Sequence, residues 1–177
     1  TEDTPIQKAN SPYGDTKIIC ERILENFKNS GQPIQAALLR YFNPIGAHPS
    51  GKLGELPNGI PNNLVPYITQ TAAGIREQLV VNGSDYNTPD GTNIRDYIHV
   101  VDLAKAHVKA LEWLQNQNKS VCEPFNLGTG KGSSVLEIIH SFEEVNQVKL
   151  NYKMGARREG DVEQIFANPA KAEKMLN

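Results

Sequence analysis

The chain has 177 residues, 18 Lys and Arg against 20 Asp and Glu, and a formal net charge of −2. Its basic residues are scattered, which argues against a nucleic-acid stripe or an anionic membrane as partner and leaves any anionic ligand to a few local arginines. It is 38% hydrophobic and 21% charged, and its apolar runs fall far short of the ~18 residues of a membrane span.

No basic–apolar–small signal pattern opens the chain. Cys20 and Cys122 form neither a C-x-x-C pair nor a disulfide framework, so a reducing, cytoplasmic setting is expected. The start at Thr1, without Met, and the blunt end at Asn177 lead us to expect a piece of a longer protein.

The first predicted element is a helix. Ser11 reads as its N-cap and Pro12 as its first residue. Ile19, Ile23 and Phe27 follow at four-residue spacing, and Gly31 closes it at C′. Tyr13 and Lys17, at i and i+4, share one face. There an ammonium favours the phenolate, the form of tyrosine able to take a proton. The same spacing also arises by chance as a plain surface pair.

Residues 34–42 read as a buried strand, followed by a Pro- and Gly-rich loop over 43–60, a length that in compact domains usually serves binding or goes with disorder. A helix is predicted over 61–74, with Leu64, Ile68 and Ala72 on one face, then a short strand over 79–81. Residues 85–93 are turn-rich around Pro89-Asp90-Gly91. Residues 97–100 lead into a helix over 102–114, striped by Leu103, Ala106, Ala110 and Leu114. A strand over 123–127, a Gly-rich turn, a helix over 135–145, a strand near 148–152 and a helix opened by Pro169 complete the chain. Such alternation predicts an α/β architecture with a small mixed layer over the ligand.

Several segments are candidates for binding. Asn43 stands where a strand runs out into the long loop, the end at which open α/β sheets bind ligands. Pro61-Asn62-Asn63-Leu64 presents amides at a helix N-terminus, suited to an anion or to simple capping. Arg95 and the pair Arg157-Arg158 carry guanidinium forks that match phosphate oxygens two at a time, unless they are spent on surface ion pairs with Asp96 and Asp161. Residues 128–134, Gly-Thr-Gly-Lys-Gly-Ser-Ser, fit neither G-x-G-x-x-G nor the Walker pattern and read as a structural turn. His48, His99, His107 and His140 lack metal-ligand spacing, so no metal is expected.

These segments keep one order along the chain. They are Ser-Pro-Tyr-Gly-x-x-Lys at 11–17, Leu-Arg-Tyr-Phe-Asn-Pro-Ile-Gly-Ala-His-Pro-Ser-Gly at 39–51 and Gly-Ile-Pro-Asn-Asn-Leu at 59–64. Asp-Gly-Thr-x-Ile-Arg-Asp-Tyr-Ile-His-Val at 90–100 and Arg-Arg-Glu-Gly-Asp at 157–161 complete them. From about Asn10 onward the chain resembles the C-terminal half of the UDP-glucose 4-epimerases, an NAD-dependent branch of the extended short-chain dehydrogenase/reductase family.

The resemblance implies the C-terminal part of that fold. Residues 1–60 would be the remnant of a Rossmann-type parallel sheet with the Tyr-Lys helix. Residues 61–177 would be mainly a small mixed α/β domain for the UDP-sugar, with the elements interleaved. Tyr13 would be the general base at the sugar 4-hydroxyl, Lys17 would favour its ionised form and hold the nicotinamide ribose, and Phe42 would touch NAD through its backbone. Asn43, Asn63 and Leu64 would bind the UDP-glucose or UDP-galactose, Val80, Val81 and Asn82 would line the uracil, Arg95 and Arg158 would clamp the diphosphate, and Asp161 would bind the uridine ribose.

A homodimer is implied for the intact protein. Asn82 stands where the family usually has an aromatic residue. Ile165 stands at the position that gates sugar size, which leaves N-acetylated sugars open. The family's dinucleotide fingerprint and catalytic Ser/Thr precede the Tyr-Lys helix, so the 177-residue chain alone is expected neither to hold NAD tightly nor to turn over. A related nucleotide-sugar dehydratase or decarboxylase and a non-catalytic nucleotide-sugar binder are the rival readings.

Overall fold

A computed structural model describes residues 1–9 and 11–177; Asn10, where the resemblance was expected to begin, lies outside the described residues. Helix α1 (Pro12–Asn29) starts as its sequence predicts. The Ser11 hydroxyl accepts the Gly14 N–H at 3.1 Å, and Pro12 fills the first turn, where a missing N–H costs nothing. At its other end Ser30 caps the helix and Gly31 follows at φ +81°. Every residue of α1 is at least partly exposed, including Ile19, Ile23 and Phe27.

Strand β1 (Gln35–Tyr41) pairs in parallel with β6 (Val121–Leu127), Gln35 opposite Val121 and Tyr41 opposite Leu127. The expectation of a buried β1 is corrected: Leu38 alone in it is buried, because this sheet has two strands and α1 covers it incompletely. The loop expected over 43–60 opens with a short strand, β2 (Asn43–Ile45), parallel to β5 (Tyr97–His99). Helix α2 (Leu64–Ala72) begins three residues later than predicted, since Asn63 keeps extended backbone at its N-cap, and buries Ile68 while Ala72 is exposed.

Strand β3 (Leu79–Asn82) pairs in parallel with β8 (Tyr152–Gly155). The strand expected near 148–152 therefore lies further on. The Glu143 carboxylate captures the Leu150 N–H at 2.8 Å, which ties that stretch to the preceding helix. Strand β4 (Ile94–Arg95) sits between antiparallel β7 (Ser133–Ser134) and parallel β9 (Gln164–Ile165). Helices α3 (Val100–Gln115), α4 (Val135–Asn146) and α5 (Ala170–Leu176) complete an α/β fold with parallel sheets. A capping box starts α4: Ser134 accepts the Glu137 N–H and the Glu137 carboxylate accepts the Ser134 N–H.

Two apolar clusters hold these elements. One gathers Ile98, Leu103, Ala110, Phe125, Leu127 and Leu176 from β5, α3, β6 and α5, with Trp113 edge-on to Phe125 at 5.2 Å. The other gathers Ile68, Leu79, Val81, Ile139 and Leu150 around α2, β3 and α4. Ala37 and Leu39 pack against the first, so it draws on both sides of residue 60. Among the described residues no helix is long and apolar enough to cross a membrane.

Candidate functional site

From Asn93 to Ile98 the chain alternates faces, as extended backbone does. Asn93, Arg95 and Tyr97 line a cavity of about 380 Å³, a volume in the range of small-molecule sites. The alternate residues turn inward. Asp96 is fully buried and accepts the Thr129 N–H at 2.8 Å, the Thr129 hydroxyl at 2.7 Å, the Gly130 N–H at 3.0 Å and the Ala167 N–H at 3.1 Å. The Gly-rich stretch is thus a cradle for a side chain, as its structural reading predicted. A Cβ at Gly128 would lie 2.5 Å from Asp96 Oδ2, so no larger residue fits there. The Asp96 carbonyl in turn accepts the Asn43 N–H at 3.0 Å, which fixes the start of β2 at the cavity.

The other walls come from separate segments. Val80 projects from β3 because Leu79 and Val81 alternate into the core. Val81 and Asn82 complete that wall, and Asn43 enters from β2. Asn63 and Leu64 stand at the start of α2. Asn63 is the N-cap by backbone, yet its amide donates to Glu55 Oε1 at 2.7 Å instead of capping. The simple capping reading of that asparagine is therefore not what forms.

Arg158 and Asp161 reach the cavity from the two ends of one tight turn, closed by the Asp161 N–H on the Arg158 carbonyl at 3.2 Å. Gly160, at φ +75°, occupies the third position that a type II turn reserves for glycine. Arg157 points elsewhere. Its Nε donates to Asp85 Oδ1 at 2.7 Å, its Nη2 donates to the Asp85 carbonyl at 2.6 Å, and its guanidinium lies 4.2 Å from the Tyr86 ring centroid. Only Arg158 of that pair lines the cavity.

The Asp161 carboxylate is gripped twice: Arg95 Nη2 donates to Oδ1, and Asn93 Nδ2 donates to Oδ2 at 2.8 Å. The ion pair that forms is Arg95–Asp161, and Arg95 Nη1 donates to the Ile94 carbonyl at 2.8 Å. Burial pushes the Tyr97 pKa up to about 12, with Arg95 pulling down and Asp161 pushing up. Its hydroxyl therefore stays protonated, and available as a donor, throughout the neutral range.

Tyr13, Lys17, Phe42 and Ile165 stand apart from this lining. Tyr13 and Lys17 do share a face, the Lys17 ammonium 4.9 Å from the ring centroid, and Tyr13 is 71% exposed. Helix α1 returns through a short connection into β1, and Glu21 meets Arg40 near the end of β1, so the two elements run antiparallel. Tyr13, eight residues before Glu21 and so about 12 Å along the helix, projects past the carboxyl end of β1, from which Asn43 enters the cavity. Phe42 bridges β1 and β2, its N–H on the Leu127 carbonyl at 3.1 Å. Ile165 pairs with Arg95 across the sheet and is 45% exposed.

A sequence model of the NAD dependent epimerase/dehydratase family matches residues 1–128. The chain belongs to this family. Within the epimerase/dehydratase family it is 54% identical to the UDP-glucose 4-epimerase of Bacillus subtilis (strain 168) over 176 residues, 99% of this chain and 51% of that protein. Its fold superposes with a TM-score of 0.93 on a UDP-glucose 4-epimerase from Stenotrophomonas maltophila with bound NAD and formylated UDP-arabinopyranose, at 48% identity, over 98% of this chain and 51% of that one. It superposes equally, with a TM-score of 0.93, on the Bifidobacterium longum UDP-glucose 4-epimerase in complex with NAD+ and UDP, at 46% identity, over 99% and 52% of the two chains. The chain thus spans about half the length of the relatives it matches.

Sequence reasoning missed Asn93, Tyr97 and Glu55, all of which line the cavity. Alternation around Arg95 carries the signal for the first two, since residues two apart on extended backbone share a face. Glu55 lies in an aperiodic loop, where no spacing marks it.

Proposed function

We propose that this chain forms the sugar-nucleotide-holding part of a UDP-glucose 4-epimerase, which interconverts UDP-galactose and UDP-glucose. The observation that carries the reading is the convergence of Asn43, Asn63, Arg95, Arg158 and Asp161, from separated segments, on one cavity. In this reading Arg158 and Arg95 meet the diphosphate, where guanidinium forks match phosphate oxygens. Asp161 takes the ribose hydroxyls. Val80, Val81 and Asn82 lie along the uracil, and Asn43 and Asn63 orient the sugar. Tyr97, held protonated, offers a further donor.

The residues present fit one end of NAD. The adjacent phenol and ammonium of Tyr13 and Lys17 suit a nicotinamide ribose at the carboxyl end of β1, with the Phe42 backbone alongside. The Gly128–Gly130 turn is closed to the pyrophosphate, because the N–H groups of Thr129 and Gly130 are spent on Asp96. When bound, NAD supplies the acceptor and donor of the hydride at sugar carbon 4. The chain's own part is proton transfer: the Tyr13 oxygen takes the proton of the 4-hydroxyl and returns it to the 4-keto oxygen, with the Lys17 ammonium beside its ring.

We extend the reading to a cytoplasmic homodimer, supported by the family resemblance, the two free thiols and the apolar stripe of α1. The division into residues 1–60 and 61–177, interleaved at the first apolar cluster, belongs to the same proposal.

The test is UDP-galactose conversion by the NAD-loaded enzyme that contains this chain, with Tyr13→Phe beside it. Loss of at least about 100-fold in turnover is expected for the variant. Retained turnover removes Tyr13 from its role, and failure of UDP to bind the unaltered enzyme removes the cavity from its own.

A further inference from the structure

We propose that Asn93 is a positioning residue that locks the Asp161 carboxylate and thereby makes the cavity selective for a ribose over a 2′-deoxyribose nucleotide. This deepens the reading of the cavity as a UDP-sugar site and rests on it.

Asn93 is 8% exposed, a depth at which an amide needs partners. Its place is fixed from both sides. The neighbouring Thr92 donates its N–H and its hydroxyl to Asp90 Oδ1 at 2.9 and 2.7 Å, and the Asn93 carbonyl accepts the Val135 N–H at 3.2 Å. Two residues on, Arg95 shares its face, so one short stretch of backbone delivers two donors to a single acceptor. Asn93 Nδ2 reaches Asp161 Oδ2 at 2.8 Å and Arg95 Nη2 reaches Oδ1. An ionised carboxylate only accepts, so the Asn93 amide must present its NH₂ side there.

The geometry has a chemical consequence. A carboxylate held through one oxygen can still turn about its Cβ–Cγ bond, whereas one held through both cannot. Each oxygen keeps about one further acceptor site after its wall partner is satisfied. Those two sites, side by side and fixed, match a ligand with two neighbouring O–H donors, which is what the 2′,3′-diol of a ribose offers. A phosphate at the same spot would meet like charge. The diol therefore lies at Asp161, and the phosphates lie toward Arg158 at the other end of the turn. Removing the 2′-hydroxyl leaves one fixed acceptor unpaired, and sites built around a hydroxyl reject ligands that lack it. Without Asn93, the carboxylate can swing to a single-hydroxyl contact and the discrimination fades.

The experiment is calorimetric titration of UDP and 2′-deoxy-UDP into the NAD-loaded enzyme that contains this chain, and into its Asn93→Ala and Asn93→Leu variants. Leu keeps the branched side-chain outline if Ala leaves a destabilising void. The unaltered enzyme is expected to prefer UDP by about tenfold or more. Both variants should lose most of that ratio by weakening UDP while 2′-deoxy-UDP stays nearly constant. An unchanged ratio, an equal loss for both nucleotides, no preference in the unaltered enzyme, or unfolding of both variants overturns the role assigned to Asn93. Failure of UDP to bind the unaltered enzyme overturns the underlying site as well, and so separates the two.

Discussion

Arg40 near the end of β1 holds Glu21 of α1 in a two-pronged grip, Nε on Oε1 at 2.8 Å and Nη2 on Oε2 at 2.5 Å. Glu21 raises the Arg40 pKa above its ordinary value, chiefly through these hydrogen bonds. Because α1 buries so little, this fork is a main tie between the helix that carries Tyr13 and the sheet. Replacing Glu21 by Gln should cost about 1–2 kcal/mol in urea unfolding. Hydrogen exchange should accelerate in α1 before it does in β1 or β6. Uniform acceleration across all three would mean that the fork does not set the local stability of α1.

Asp96 gathers the Gly128–Gly130 turn and the segment after β9 onto the strand that bears Arg95. In Asp96→Asn an NH₂ group faces those same N–H donors, leaving buried donors unpaired. A loss of about 3 kcal/mol or more is expected, read as a fall in the urea midpoint. A variant as stable as the parent would contradict the hub.

The two neighbouring arginines should separate cleanly. Arg158→Ala is expected to weaken UDP binding at least about tenfold at unchanged melting temperature, since in the proposed site its partner is the ligand. Arg157→Ala should do the reverse, lowering the melting temperature while UDP affinity stays close to that of the parent, because its guanidinium serves Asp85 and Tyr86. Calorimetry and thermal melts on both variants settle the division, and swapped phenotypes would falsify it.

Glu143 gives the fold a pH dependence. The Leu150 N–H, and after it the Lys149 ammonium, hold its carboxyl below the ordinary glutamate range. A carboxylate depressed on folding stabilises the protein above its unfolded pKa, ~4.3, and that contribution is lost as pH falls through the lower folded value. The parent should therefore be more stable than Glu143→Gln at pH 7, and the difference should shrink below about pH 4. Urea midpoints that stay equally far apart at pH 3 and pH 7 would show that the glutamate charge plays no part.

Much of this was legible in the residues. Ser11-Pro12 starts α1 and Gly31 ends it because capping is a local matter of side chain and backbone. The helices over α3 and α4 follow from their apolar spacing. The residues that the family resemblance assigned to the substrate all line one cavity except Ile165. The remainder depends on contacts between distant segments. Strands β4, β7 and β9 are two residues each and too short to show a period. β8 begins late because a glutamate side chain takes the N–H that a strand would have used. Nor does local sequence choose between Arg157 and Arg158; the distant ring of Tyr86 does.

Each parallel pairing joins residues far apart: Gln35 with Val121, Asn43 with Tyr97, Leu79 with Tyr152 and Ile94 with Gln164. During synthesis the edge of β1 that meets β6 must wait until the ribosome has delivered residue 121. Pairings knitted across such distances mature late, and an unpaired strand edge is in need of a chaperone's cover until then.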